Sequence, residues 1–178
     1  MILLGLDPGL TCTGWGIIRS ESNHLTGIAN GAIKTGIKLP IAERLRLIHE
    51  HLLDVIDQYR PDESAVEETF VSRNGQSTLR LGHARGVVLL APATRGLPVA
   101  EYAANLVKKT VTGSGHASKA QIQTMVSHLL PGQNIKSEDA ADALAVAICH
   151  AHHMATRDNV LRSGTIMAGA GSVSEGRG

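Results

Sequence analysis

The chain opens on a short apolar run over residues 2–6 that stops at Asp7-Pro8-Gly9. A run of this length fits a buried strand, and the Pro-Gly pair ends it with a turn. An acid at the end of such a strand stands at the edge of a sheet, where open α/β sheets place their ligands. The remainder of the chain must therefore supply the other strands of a sheet and their cover. Residues 13–19 and 25–35 read as two more strands, and three strands joined by short links suggest an antiparallel meander.

Residues 40–59 then read as an amphipathic helix, with Ile41, Leu45, Ile48, Leu52, Ile56 and Tyr59 at helical spacing and Glu43, Arg44, His51, Asp54 and Asp57 mostly outward. Pro61 ends it. Residues 64–66 form a short strand with Glu67 at its end. Asn74 is placed to cap a helix to about Leu90, which Pro92 should stop or kink. Residues 97–102 give another strand, and 103–111 a helix closed by Thr112-Gly113-Ser114-Gly115. Ser118 caps a helix carrying Ile122, Met125, Val126 and Leu129 on one face. Ser137 caps the last helix, through about Met154, whose many alanines permit close approach to a sheet. The order βββ-α-β-α-β-α-α-α makes an α/β domain with a mixed sheet.

The 178 residues suffice for one domain with a sizeable core. We expect it over residues 1–156, followed by a weakly ordered, polar, glycine-rich tail over 157–178. No apolar run approaches the ~20 residues of a membrane span. No basic leader precedes the apolar opening, so no signal peptide is expected. Cys12 and Cys149 form no ligand pattern and fit reduced thiols in a cytoplasmic protein. The net charge of +1 conceals an asymmetry: between Arg73 and Lys136 stand eight basic residues and one acid, Glu101, while the rest of the chain is acidic on balance. That division suggests a basic surface for a polyanion beside an acidic site.

Four acids stand where chemistry could use them. Asp7 and Glu67 end strands, and Asp139 and Asp142, at i and i+3 on the last helix, share a face. Convergent carboxylates suit hard divalent cations, and paired metals ~3.5–4 Å apart support both attacking and leaving oxygens of a phosphodiester. Each acid also has an ordinary reading: Asp7 as a turn residue, Asp139 as compensation of the helix dipole. Glu68 competes with Glu67, because alternation sends the two to opposite faces and spacing does not choose between them. His150, His152 and His153 invite a zinc reading, but a third and fourth ligand are missing, so packed or solvated histidine is the better account.

At this point several motifs resemble one family in order and spacing. They are Leu4-Gly5-Leu6-Asp7-Pro8-Gly9 with Thr13-Gly14-Trp15-Gly16, then Ala65-Val66-Glu67-Glu68-Thr69-Phe70, then residues 81–87, then residues 108–121, and Asp139-Ala140-Ala141-Asp142-Ala143-Leu144-Ala145. Across about residues 2–153 they are similar to the RuvC family of Holliday-junction resolvases. The resemblance implies an RNase H-like fold with a five-stranded mixed sheet flanked by helices. It implies a homodimer that makes paired symmetric nicks in four-way DNA junctions, in homologous recombination and repair. Water would attack the phosphodiester with the help of Mg²⁺, with Mn²⁺ a possible substitute and two ions per site, leaving 5′-phosphate and 3′-hydroxyl ends. It assigns metal binding and catalysis to Asp7, Glu67, Asp139 and Asp142, and so prefers Glu67 to Glu68. It places Lys108 and Lys119 near the cleaved strand, Phe70 at the junction-facing edge, and Arg73 and Arg85 near phosphates. It also implies a partner, the RuvA–RuvB branch-migration complex.

Other classes compete. The glycine-rich opening resembles the phosphate hairpin of an actin-like ATP-binding half-domain, yet 178 residues cannot supply two such lobes. Another RNase H-like nuclease, or a junction binder without activity, would share the fold. The Asp139–Asp142 helix and the basic middle favour a resolvase over the first, and the presence of all four acids argues against the second.

Overall fold

A computed structural model describes the chain except for residue 23, residues 69–73 and residues 170–178, with side chains described to residue 156. Among the described residues, five strands and five helices follow the expected order: β1 (Ile2–Asp7), β2 (Cys12–Glu21), β3 (His24–Lys34), α1 (Ile41–Tyr59), β4 (Glu63–Glu68), α2 (Gly75–Thr94), β5 (Val99–Ala103), α3 (Ala104–Thr112), α4 (Lys119–Leu129) and α5 (Glu138–Gly169). They build one mixed sheet in the order β3-β2-β1-β4-β5. The β1–β2 and β2–β3 pairs are antiparallel, while β1–β4 and β4–β5 are parallel.

Alternation along the strands divides the core into two layers. On one face Leu4, Leu6, Ile17 and Val66 pack with Ile48, Leu52 and Ile56 of α1 and Ala84 and Val88 of α2. On the other, Leu3, Ile18 and Ala65 pack with Val107, Val111, Ile122 and Val126 of α3 and α4, and with Leu144 to Cys149 of α5. The sheet is therefore the middle of three layers, which is why β1 is apolar on both faces.

Helix α5 lies against the sheet more closely than most side chains would allow. A Cβ at Gly5 would lie 2.6 Å from the Ala147 nitrogen, and one at Gly16 would lie 2.7 Å from Leu144 Cδ2. At Gly14 it would lie 2.6 Å from the Asp139 carbonyl carbon. Gly5 pairs with Gly16, and Asp7 with Gly14, so these glycines form one patch on β1 and β2. The alanines of α5 at 140, 141, 143, 145 and 147 keep the helix side of the contact equally thin.

Three local expectations are corrected. Arg44, expected to point outward, is buried, because its guanidinium donates to Thr35 Oγ1 at 2.9 Å and to the Leu10 carbonyl and Thr11 Oγ1 at 3.1 Å each. Pro92 neither stops α2 near Leu90 nor ends it. It falls in the last turn, where its carbonyl accepts from the amides of Arg95 and Leu97, and the helix closes two residues beyond it at Thr94. Helix α5 continues to Gly169, past the expected end near Met154. The last part of the expected tail, residues 170–178, lies outside the described residues. Among the described residues no helix is long and apolar enough to cross a membrane.

Candidate active site

The register of the two central parallel strands builds the first half of the site. Leu6 of β1 lies beside Val66 of β4, so Asp7 and Glu67 follow side by side at the carboxyl ends of adjacent strands. Ala65 packs on the α5 face and Val66 on the α1 face. Alternation then turns Glu67 toward α5 and Glu68 away from it. This is the choice that spacing alone left open.

The second half comes from α5. Asn30, buried in β3, receives the Lys136 amide at 3.0 Å and donates to the Asn134 carbonyl at 2.9 Å, which fixes the approach to the helix. Ser137 accepts the Ala140 amide at 3.2 Å, capping the first turn as expected. Asp139 and Asp142 then project from a helix whose start rests on Gly14.

Asp7, Glu67, Asp142, Lys108 and Lys119 line one cleft of about 230 Å³. Asp139 stands beside it, with Oδ2 at 2.9 Å from the Cys12 thiol. Lys119, the first residue of α4, reaches Asp142 Oδ2 at 3.5 Å. Ser118 and Gln121 hold that helix start in a reciprocal capping box. A larger cleft of about 340 Å³ lies at the other end of the sheet, beside Ser20 and His24, and no acid lines it. Chemistry, rather than volume, identifies the functional one.

The acids are electrostatically crowded. Burial, then the charges of Glu67, Asp142 and Asp139, push the Asp7 carboxyl up to about 8, with Lys119 pulling the other way. Burial and the Asp142 charge push Glu67 up to about 7, against Lys108 and Lys119. Burial also raises Asp142 above the usual carboxylate range, and Lys119 opposes it. In return, Asp142 holds the Lys119 ammonium above its ordinary value. Burial and the bond to Asp139 raise the Cys12 thiol to about 11. Burial leads the rise of the three carboxyls and of the thiol, and crowding adds to it, because more negative charge is gathered here than two lysines neutralise.

Such an excess of carboxylate oxygen suits a hard divalent cation. Asp7, Glu67 and Asp142 face the cleft, and Asp139 adjoins it. The fit is one of donor chemistry rather than finished geometry. Among the described residues, no three acidic, imidazole or thiol groups stand together as a formed metal cage. Two of the carboxylates are turned to internal partners, Cys12 and Lys119.

Supporting groups that the sequence did not reveal surround the turn after β1. The buried Thr13 hydroxyl donates to the Gly9 carbonyl at 2.7 Å, and Arg44 grips the Leu10 carbonyl. Together they fix the chain just beyond Asp7. Thr13 carried a faint signal in the Thr-Gly pair, whereas Arg44 carried none. Arg85 is not brought to the cleft; it pairs with Glu101, whose neighbour in the register, Val66, packs on the opposite face of the sheet. Phe70 and Arg73 lie outside the described residues. His150 is buried, with Nδ1 at 2.9 Å from the Tyr102 hydroxyl and Nε2 at 3.2 Å from Glu63, while His153 stacks on the same tyrosine. Cys12 and Cys149 are both free thiols.

A mixed five-stranded sheet in this order, with acids at the ends of its two central strands and on the helix packed across them, defines a protein of the RNase H-like fold. Within that class the sequence is specific. The family model described as crossover junction endodeoxyribonuclease RuvC matches residues 3–150, and the chain belongs to this family. It is 56% identical over 166 residues to the RuvC endonuclease of Granulibacter bethesdensis, covering 93% of each chain. It is 59% identical over 151 residues to that of Rhodopseudomonas palustris, covering 85% of this chain and 87% of the relative. Among solved structures, RuvC of T. thermophilus in complex with Holliday junction substrate superposes with a TM-score of 0.82 at 34% identity, over 88% of this chain and 96% of that one. The yeast mitochondrial Holliday junction resolvase shares the fold at 11% identity, with a TM-score of 0.61 over 84% of this chain and 78% of that one.

Proposed function

We infer that this chain is a Holliday-junction resolvase, an endonuclease that nicks four-way DNA junctions in recombination and repair. The observation that carries the mechanism is the meeting of three carboxylates and two lysines from β1, β4, α3, α4 and α5 in one cleft. The nuclease unit is residues 1–156.

Asp7, Glu67, Asp139 and Asp142 are the catalytic carboxylates and hold divalent metal, Mg²⁺ by preference with Mn²⁺ as substitute, as two ions per site. Bound there, the ions supply Lewis-acid stabilisation of the attacking and leaving oxygens of the phosphodiester. The Pro8-Gly9 turn and α5 hold these carboxylates at the mouth of the sheet, where they would bind the cations. Lys108 and Lys119 place the scissile phosphate against the acids and offset its growing charge. The water attacks in line and leaves a 5′-phosphate and a 3′-hydroxyl. Phe70, Arg73 and Arg85 contribute to DNA binding away from the reacting atoms.

Paired nicks require two equivalent sites, which a twofold dimer provides. A homodimer is supported by α2, where Leu79 and Leu90 are 61% and 56% exposed and flank exposed His83 and Gly86. The 4-3-4 spacing of these positions gives one helix-packing seam. The substrate junctions would come from the RuvA–RuvB branch-migration complex, and the reaction belongs in the cytoplasm.

The test is cleavage of a mobile synthetic four-way junction with Mg²⁺ or EDTA by the wild type and Asp7→Asn. Symmetric nicks that need both the ion and Asp7 are expected. Tight junction binding with no nicking under any divalent ion would overturn the assignment.

A further inference from the structure

One contact at the site involves a residue to which the nuclease reading gives no role. Cys12 is the first residue of β2, two positions before the glycine on which α5 rests. Its Sγ lies 2.9 Å from Asp139 Oδ2. Asp139 belongs to the first turn of α5, and its backbone is set by the Gly14 contact. The backbone contact leaves the carboxylate free to rotate about its two side-chain bonds. Asp142 is held by Lys119 from α4. Among the described residues, only Cys12 donates a hydrogen bond to the Asp139 side chain.

We propose that Cys12 is a positioning residue for Asp139. Its S–H donates to Oδ2, fixes the carboxylate rotamer beside the cleft, and leaves the other oxygen, among the described residues, without a donor of its own. A neutral donor suits this place. A lysine would neutralise charge that the cation needs, as Lys119 already does at Asp142, whereas a thiol orients the acid and leaves its charge intact. Groups that orient a metal-binding side chain typically change affinity ~10–100-fold when removed. A thiol is a weak donor, so the effect here should be smaller. The positioning role rests on the metal reading of the site.

The experiment uses the full chain and follows free Mn²⁺ by electron paramagnetic resonance as the ion is titrated into protein without DNA. Wild type is compared with Cys12→Val, which keeps an apolar, strand-favouring side chain but has no donor and carries one more heavy atom. Cys12→Ser keeps a donor, and Asp7→Asn marks binding at this cleft. Melting in EDTA is recorded for each. Cys12→Val should bind Mn²⁺ about 3–10-fold more weakly with no fall in melting temperature, and Cys12→Ser should stay within about twofold of wild type. Wild-type affinity in Cys12→Val, with Asp7→Asn still impaired, sinks the positioning role and leaves the metal reading standing. Equal losses in the valine and serine variants also sink it, since packing and not the donor would then be responsible. If wild type and Asp7→Asn bind Mn²⁺ alike, the metal reading fails and the positioning role fails with it.

Discussion

Replacing Asp7 with asparagine should stabilise the metal-free protein. Burial and the neighbouring carboxylates push the Asp7 carboxyl of the folded chain up from an ordinary 3.8 to about 8. A carboxyl raised by folding leaves stability intact below the ordinary value, and that stability is lost as pH rises toward the folded value, because the unfolded chain ionises first. Each pH unit in that window is worth about 1.4 kcal/mol. At pH 5 the loss is on the order of 2 kcal/mol, and at pH 7 on the order of 4 kcal/mol. The asparagine variant has no charge to bury at this position and avoids this loss. The assay is urea denaturation of wild type and Asp7→Asn in EDTA at pH 5, 6, 7 and 8. Protein concentration is held fixed, because a dimer's stability depends on it. The variant's advantage should grow with pH across that range and level off only above pH 8, where the folded carboxyl ionises as well. Mg²⁺ or Mn²⁺ should then close the gap by stabilising wild type alone. An advantage below about 1 kcal/mol at pH 7, or one independent of pH, would refute the account of a crowded, under-neutralised cluster.

Two further substitutions probe the same site from different sides. Gly5→Ala drives a Cβ into the α5 backbone at Ala143 and Ala147; overpacking should cost about 2–3 kcal/mol and abolish cleavage as Asp139 and Asp142 lift, checked by denaturation and junction nicking. Lys119→Gln removes the charge that opposes the raised Asp142 carboxyl, so the acid limb of the cleavage pH profile should move to higher pH, and an unmoved limb would count against the coupling.

Much of the fold was legible because each element carried its own local signal. The apolar runs, the Asn74, Ser118 and Ser137 caps, and the helical spacing of Ile48, Leu52 and Ile56 act within a few residues of themselves. What stayed hidden depends on contacts between segments distant in the chain. Glu67 and Glu68 are equivalent by spacing, and only the packing of Ala65 against α5 distinguishes them. Arg44 falls at an outward-looking position, yet three oxygens from residues 10, 11 and 35 draw it inside. Cys12 has no pattern of its own and takes its meaning from an acid 127 residues away. His150 shows the opposite case: the packed-histidine reading rested on a missing ligand set, and the ring lies buried beside Tyr102 and Glu63.

The close seat of α5 explains why this site needs so many small residues. An aspartate reaches only one methylene beyond its backbone, so Asp139 and Asp142 can meet Asp7 and Glu67 only if the helix backbone itself approaches the strands. Gly5, Gly14 and Gly16 on the sheet, and the alanines of α5, remove the side chains that would hold it off. The same approach buries the acids and raises their carboxyls, and so builds in the instability predicted for the metal-free chain. The two effects can be separated by substitution. Asp7→Asn relieves the repulsion while leaving the helix seated, and Gly5→Ala unseats the helix while leaving every charge present. The first should give a more stable protein that does not cut. The second should give a less stable one that does not cut either, so neither stability nor the presence of the acids alone accounts for activity.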